Sequence, residues 1–524
     1  MKKTLLLATL LFSSQIFFSQ TNFQRLYSAA PSTLFSDIKP TSNGGYIVCG
    51  NTGSSSTDAL LSKLDANGIP QWTKHFGSWM GSEDAMTTGQ TIAGGYYFVN
   101  STDSYNPNGE MNFIVTDAPG NVIVNKSFTD NNGAIYPVSV TQTSSGDFVL
   151  ASTYYDINTF SVAAHVIKTT LSGNIIWKKT FSDSSGTLQS EDMALCANGD
   201  VVIVGTSYSF TGEICLTRLD AASGNILWLK QYIPATDYAS NCTIDNTADG
   251  GFIIAAKYID ATTFEYYILL TKVDVNGTIQ WTNRHNANVT VQFSKSLRPK
   301  VKQAPDGGYI VSTHLYELAT FISYPSLIKF DASGNFSSAK YYTLSMGYAY
   351  CYSKPQLTSD GGYVAAFNAM DSAFMNFSGH IVKTNASLST GCFENSFTLL
   401  TFPVSFTVSS STTTITAGTE VVREIVYGDI PLNYSDNCAT NVSISEYETN
   451  DFISVYPNPS NGIFTIQSEE EITSVEIYNL LGEEIYLSSK ANKNVIDLSN
   501  QSKGIYFVKI ISGDKTYSQK IVVE

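Results

Sequence analysis

Two acidic pairs, Glu83-Asp84 and Glu191-Asp192, stand at comparable points just ahead of glycine-led apolar runs in this 524-residue chain. Two carboxylates from different places, facing one pocket within ~5–10 Å, can do acid/base work on a glycosidic bond. Sequence alone does not place them that close, and no catalytic constellation in the chain rises above background. The five histidines, His75, His165, His285, His314 and His380, are scattered, and His75 and His285 fall in a repeated strand segment, which points to structure. Gly77-Ser78-Trp79-Met80-Gly81 carries its serine at the wrong offset for a nucleophile elbow. No His-Glu-x-x-His, phosphate loop or dinucleotide fingerprint occurs. Asp65-Ala66-Asn67-Gly68, Asp274-Val275-Asn276-Gly277 and Asp331-Ala332-Ser333-Gly334 lack the further carboxylates of a calcium loop and read as hairpin turns. No catalytic residue, cofactor site or metal site is assigned, and the reading leans away from an enzyme.

The elements that must position any such groups are repeated. Seven times a turn leads into an apolar run, with first glycines at Gly44, Gly94, Gly146, Gly199, Gly250, Gly307 and Gly361. Successive spacings are 50, 52, 53, 51, 57 and 54 residues. A period near 50 without helical patterning predicts β-propeller blades. The run after the turn is apolar on both faces, as in Val201-Val202-Ile203-Val204, which suits a strand sandwiched between sheets.

The last strand of most units reads aromatic, polar, basic, any, aromatic, as in Trp72-Thr73-Lys74-His75-Phe76 and Trp177-Lys178-Lys179-Thr180-Phe181. The seventh unit lacks it, and the missing copy stands near the N-terminus as Phe23-Gln24-Arg25-Leu26-Tyr27. From the start of each such strand to the next first glycine the distances are 21, 22, 22, 22, 22, 26 and 23 residues. Phe23–Tyr27 is therefore expected to complete the last blade and close the ring, removing its sheet edges. Recurrence of Trp72, Trp177, Trp228 and Trp281 at one position predicts packing between blades rather than sugar stacking. The non-repeating stretches Tyr341-Tyr342 to Tyr352 and Ser101 to Asn108 are the better candidates for ligand contact.

Charged residues make up only 14% of the chain and aromatics 12%, which suits an extracellular β protein. The net charge of −15, with no Lys/Arg-rich run, argues against nucleic acid as a partner. Lys2-Lys3 followed by the apolar stretch Thr4 to Phe18 reads as a secretory signal peptide cleaved near Ser19-Gln20. No later run approaches the ~18 apolar residues of a membrane span. Of seven cysteines, Cys392 and Cys438 bracket the segment after the ring and are the expected disulfide pair.

The expected domains are a signal peptide at 1–20, a seven-bladed propeller at 21–391, a Ser/Thr-rich linker or small β module at 392–450, and a small β-sandwich at 451–524. That last unit opens on Tyr456-Pro457-Asn458-Pro459, contains Gly504-Ile505-Tyr506 and ends on Lys520-Ile521-Val522-Val523. On these residues it closely resembles the type A C-terminal sorting domain of the Bacteroidota type IX secretion system. The resemblance implies a partner, the type IX machinery, with Pro457, Asn458, Pro459, Gly504, Tyr506, Lys520 and Val523 as sorting-signal residues. It also implies passage through the periplasm to release or outer-surface attachment. The repeats resemble the Asp-Gly-Gly-Tyr-Ile-Val propeller-like repeats of secreted proteins from these bacteria, which implies fold and not activity. Ser359-Asp360-Gly361-Gly362-Tyr363 resembles the start of a sialidase Asp box but lacks its Gly-x-Thr-Trp-like end.

The fold class read from the sequence is all-β, a seven-bladed propeller closed by its N-terminal strand. The functional reading is a non-catalytic binding or adhesion protein for an extracellular glycan or protein. The alternatives are a polysaccharide-active hydrolase or lyase with dispersed carboxylates, and a purely structural surface protein.

Overall fold

The computed structural model describes residues 22–436 and 453–524, apart from 30, 54–56, 78–81, 104–108, 208–211, 235, 288–290, 294, 318, 321, 344–347, 371–375, 411–412, 416–418, 422–425, 469–470, 480–482, 489–494 and 513–514. The signal-peptide stretch and Cys438 lie outside the described residues. Every regular element among the described residues is a β-strand. The chain divides into two compact units, Met1–Cys438 and Ala439–Glu524.

The first unit contains seven antiparallel sheets, numbered here in chain order. Sheet 1 runs Thr33–Pro40, Tyr46–Gly53, Thr57–Leu64 and Pro70–Gly77. Sheets 2 to 5 repeat this plan, with leading strands Glu83–Gln90, Gly133–Gln142, Leu188–Leu195 and Tyr238–Asn246. In sheet 6 the leading strand is broken into Val291–Gln292 and Lys300–Gln303, and in sheet 7 into Tyr348–Cys351 and Gln356–Leu357.

The recurring glycine turn explains the second strand of each sheet. Its first glycine takes φ between +81° and +92° in all seven copies, a region that disfavours any side chain. The strand that follows is buried on both faces, as in Val201–Ser207. Where the turn carries an acid, that acid meets the Lys or Arg of the third strand: Lys272–Asp249 at 2.9 Å, Lys383–Asp360 at 2.7 Å and Arg218–Asp200 at 2.8 Å. Apolar clusters then join each sheet to the next, for example Phe76 and Ile47 of sheet 1 with Phe98 and Ile114 of sheet 2.

Sheet 7 is completed by the N-terminal segment. Phe23–Ser28 pairs antiparallel with Phe377–Thr384, Phe23 opposite Lys383 and Tyr27 opposite Gly379. One cluster unites Phe23, Tyr27, Val364, Ala366 and Ile381 of this sheet with Phe35, Tyr46 and Leu60 of sheet 1. The side-chain amide of Asn368 also bridges to sheet 1, accepting from Phe35 N at 2.6 Å and donating to Phe35 O at 2.9 Å.

Residues 394–436 are not a module of their own, in contrast to the linker or small module expected at 392–450. Their short strands add one outer strand to every sheet, in reverse order. Glu394–Ser396 joins sheet 6, Leu399–Pro403 sheet 5, Phe406–Ser409 sheet 4, Thr413–Ile415 sheet 3, Thr419–Val421 sheet 2, Val426–Asp429 sheet 1 and Asn433–Asp436 sheet 7. The physical reason lies in the sheets. Each fourth strand would otherwise leave a row of unpaired backbone groups, and this belt occupies them. The basic residue of the repeated strand helps to hold it: Arg25–Asp436 and Lys74–Asp429 each at 2.9 Å, and Lys340 paired with Glu394. The belt's own strands are short, three to five residues each, which limits the edge they leave open.

The C-terminal unit packs two sheets around one core. Ile453–Tyr456, Ile463–Ser468 and Val495–Asp497 form the first; Glu484–Ser488, Ile472–Tyr478, Gly504–Ser512 and Lys515–Val523 form the second. Phe464, Ile477, Tyr506, Val508 and Ile521 lie at its centre.

Candidate functional site

Each leading strand in sheets 1 to 5 breaks register with its neighbour once. The breaks skip Ser36, Met86, Val138, Glu191 and the pair Asn241-Cys242. A β-bulge re-aims the side chain it carries. All six of these residues line one cavity of about 690 Å³. Sheet 6 contributes Arg298 from the gap in its broken leading strand and Lys300 from the start of the resumed strand, sheet 7 contributes Tyr352 from its own gap, and Asn368 joins from the second strand of sheet 7. Every one of the seven sheets thus supplies the wall. The volume falls in the range of small-molecule sites.

The lining is amphipathic. Tyr136, Tyr155 and Tyr352 supply ring surface, and Asn51, Asn241, Gln189 and Asn368 supply amides. The carboxylates of the lining are already engaged. Asp84 accepts from the Asn51 amide and, at 3.2 Å, from the Thr57 hydroxyl. The two oxygens of Glu191 accept backbone N–H groups, one from Asn241 at 3.1 Å and the other from Cys242. Burial pushes the Glu191 carboxyl above its usual range, against the pull of those donors. Burial, reinforced by Glu191, raises the Cys242 thiol well above its ordinary value, so this cysteine is no ready nucleophile.

The opposite balance holds on sheets 5 to 7. Lys354 is paired with Asp192 at 2.5 Å and donates to Ile244 O at 2.7 Å. Arg298 lies over the Tyr352 ring, its guanidinium carbon 5.5 Å from the centroid. Burial lowers the Lys300 and Lys257 ammonium groups, and Arg298 adds to both effects.

Of the acids singled out in the sequence, Asp84 and Glu191 reach this common cavity, whereas Glu83 and Asp192 are buried in the sheets. Tyr352 is the member of the Tyr-rich stretch that reaches it; Tyr342 is buried and donates to Leu388 O at 2.8 Å. Residues 104–108 of the other loop lie outside the described residues. The Asp turns serve themselves: Asp65 Oδ1 accepts from Asn67 N and Ile69 N at 2.9 and 2.8 Å, and Asp274 and Asp331 repeat the pattern. His165, His285, His314 and His380 are buried in strands, and His75 pairs with Asp58 at 2.7 Å. The tryptophans pack on glycines of neighbouring sheets, Trp177 against Gly224 and Trp228 against Gly277. Sequence reasoning missed Arg298, Lys300, Asn51 and Asn241. A signal for the first two was present, since the longest strand-to-glycine distance, 26 residues, spans the gap that holds Arg298 and ends at Lys300.

Among the described residues no group of three or more His, Cys, Asp or Glu gathers as a metal site. No helix among them is long and apolar enough to cross a membrane. Cys392 is disulfide-bonded, while Cys49, Cys196, Cys215, Cys242 and Cys351 are free.

In the C-terminal unit Asn458 ties the Tyr-Pro-Asn-Pro segment to the final strand. Its side chain donates to Lys520 O at 2.7 Å and accepts from Val522 N at 2.9 Å. Ser460 N donates to Val522 O at 3.0 Å, and Glu524 N to Ser460 O at 2.8 Å. Tyr506 and Val523 are core residues, and the Tyr506 hydroxyl donates to Ser502 O at 2.5 Å.

Residues 454–524 match the family described as the secretion system C-terminal sorting domain. This tail marks the chain as a secreted protein of the type IX route. No curated protein matches the chain. Among solved structures it is similar to the NanB sialidase from Streptococcus pneumoniae, at 11% identity and TM-score 0.38, covering 71% of this chain and 70% of that one. It is also similar to prolyl oligopeptidase B from Galerina marginata, at 9% identity and TM-score 0.40, covering 72% and 51%. A hypothetical protein from Leishmania major aligns at 10% identity and TM-score 0.28, over 53% and 91%. Similarity at this level carries no argument about activity.

Proposed function

We propose that the mature chain is a seven-bladed β-propeller closed by its N-terminal strand, and that it binds an extracellular glycan non-catalytically in the central cavity. The seven-fold turn, the pairing of Phe23–Ser28 with Phe377–Thr384 and the shared cluster of sheets 7 and 1 support the architecture. The cavity's mixture of tyrosine rings and side-chain amides carries the functional reading. Tyrosine offers an apolar face and a polar tip, which suits sugars. The signal peptide at 1–20 and the sorting residues Pro457, Asn458, Pro459, Gly504, Tyr506, Lys520 and Val523 would take the protein through the periplasm to release or surface attachment.

One observation favours a second reading, a polysaccharide-active hydrolase or lyase: Asp84 and Glu191 share the cavity, and burial holds the Glu191 carboxyl toward its protonated form. Against it, both oxygens of Glu191 are occupied by backbone donors. The deciding experiment incubates the full secreted chain with algal, plant and bacterial-surface polysaccharides, following retention and released ends together. Retention without products supports the binding reading. Products that vanish in both Asp84→Asn and Glu191→Gln overturn it in favour of the hydrolase.

A further inference from the structure

Three of the four described arginines are ion-paired: Arg25 with Asp436, Arg218 with Asp200 and Arg284 with Asp260. Arg298 is the fourth. It lines the cavity, is exposed, and makes no ion pair or hydrogen bond among the described residues beyond its stacking on Tyr352. Lys300, two residues on and also in the lining, makes no salt bridge or hydrogen bond among them, and the carboxylate that acts on it, Asp192, is paired with Lys354. This is unusual company in a chain with 45 acidic and 30 basic residues, where a spare cation has many acids to choose from. The segment between Val291–Gln292 and Lys300–Gln303 interrupts the leading strand of sheet 6, and Arg298 projects from that interruption.

We propose that Arg298 and Lys300 form an anion subsite and that the ligand of the cavity is an acidic saccharide, carrying a carboxylate or sulfate group. The inference rests on the glycan reading above and adds the charge of the sugar. A guanidinium presents a planar fork that binds a carboxylate or sulfate through two parallel hydrogen bonds, and the nearby ammonium adds a point charge. Stacking on Tyr352 holds the guanidinium in place without using its N–H donors. The acids of the lining do not cancel this field, because Glu191 is capped by two backbone N–H groups and Asp84 stands on sheet 2, next to Asn51. The cavity is therefore polarised, with cations on sheet 6 and acceptors for sugar hydroxyls on sheets 1 and 2. Tyr136 and Tyr155 of sheet 3 provide ring surface between the two.

The test is calorimetric titration of the full secreted chain with oligomers of galacturonate, glucuronate and mannuronate, a sulfated galactan oligomer, and a matched neutral form of each. At least one acidic oligomer is expected to bind about tenfold or more tightly than its neutral match, with an affinity that falls as salt rises. Arg298→Gln and Lys300→Gln are each expected to remove most of that preference while the thermal midpoint stays put. The retained carboxylate or sulfate series identifies which group is read. Equal binding of acidic and neutral forms, or a preference untouched by both substitutions, overturns the anion subsite and leaves the glycan reading standing. Binding of no oligomer of either kind overturns both.

Discussion

Phe23 and Gly68 lie in direct contact across sheets 7 and 1: a Cβ on Gly68 would stand 2.5 Å from the Phe23 ring. The same relation joins Trp72 to Gly120, Trp177 to Gly224 and Trp228 to Gly277. Tyr27 reinforces the seam by donating to Gly68 O at 2.7 Å, as Tyr232 does to Gly277 O. Phe23→Ala is expected to cost roughly 3–5 kcal/mol, the range for a fully buried phenylalanine. Chemical denaturation of the first unit measures this, and a loss below about 1 kcal/mol would mean that the seam is not a structural joint.

Removing the belt should expose seven outer strand edges at once. A chain truncated after residue 391 is expected to aggregate at concentrations where the full chain stays monodisperse. Light scattering on the two proteins decides the matter, and a monodisperse truncation would show that the fourth strands protect themselves.

Both ends of the belt meet the N-terminal strand. Gln24 donates to Cys392 O at 2.7 Å, and Arg25 pairs with Asp436. We propose Cys438 as the partner of Cys392. In the chain-entropy account a loop of this length is worth roughly 4 kcal/mol. Peptide mapping without reductant should recover the two cysteines linked, and Cys392→Ser should lower the thermal midpoint.

Acid should weaken the first unit through its histidines. Burial lowers His165 and His314 to about 4 and His285 and His380 to about 3. Neither ring nitrogen of His165 or His380 has a hydrogen-bond partner among the described residues. Unfolded histidine titrates near 6.5, so between that value and about 4 the unfolded chain binds more protons than the folded one. Stability is then complete above about pH 6.5 and declines as pH falls toward 4, by of order 3 kcal/mol per histidine. Denaturation series from pH 7 to 4 should show the slope, and His380→Leu should flatten it. An unchanged slope in that variant would remove His380 from the account.

In the C-terminal unit Asn458→Ala removes both bonds to the last strand. These are exposed, so a loss of about 1–2 kcal/mol is expected. A secretion assay and a melt of the purified chain, compared with Asn458→Asp, would separate destabilisation from loss of recognition.

The strand plan was legible because the glycine turn demands positive φ and so leaves fixed residues at fixed spacing. The phase shift at Phe23 was legible for the same reason. The belt was not, because an edge-covering strand needs only backbone groups and tolerates Ser and Thr, which read as linker. The cavity was half legible. Asp84 and Glu191 could be named, but a bulge at Glu191 or Asn241 leaves no mark on composition, and the lengthened unit before Gly307 marked an insertion without showing that Arg298 stands in it.

The reverse winding of residues 394–436 also sets how the molecule answers a pull on its tail. Tension from the C-terminal side reaches Asp436 and Arg25 first, partners 411 residues apart in the chain, and arrives last at Glu394 and Lys340, only 54 apart. The belt would unzip one short strand at a time, each release small, while the sheets beneath keep their other strands paired. With Cys392 joined to Cys438 the load would bypass that zipper and pass straight to the root of the belt.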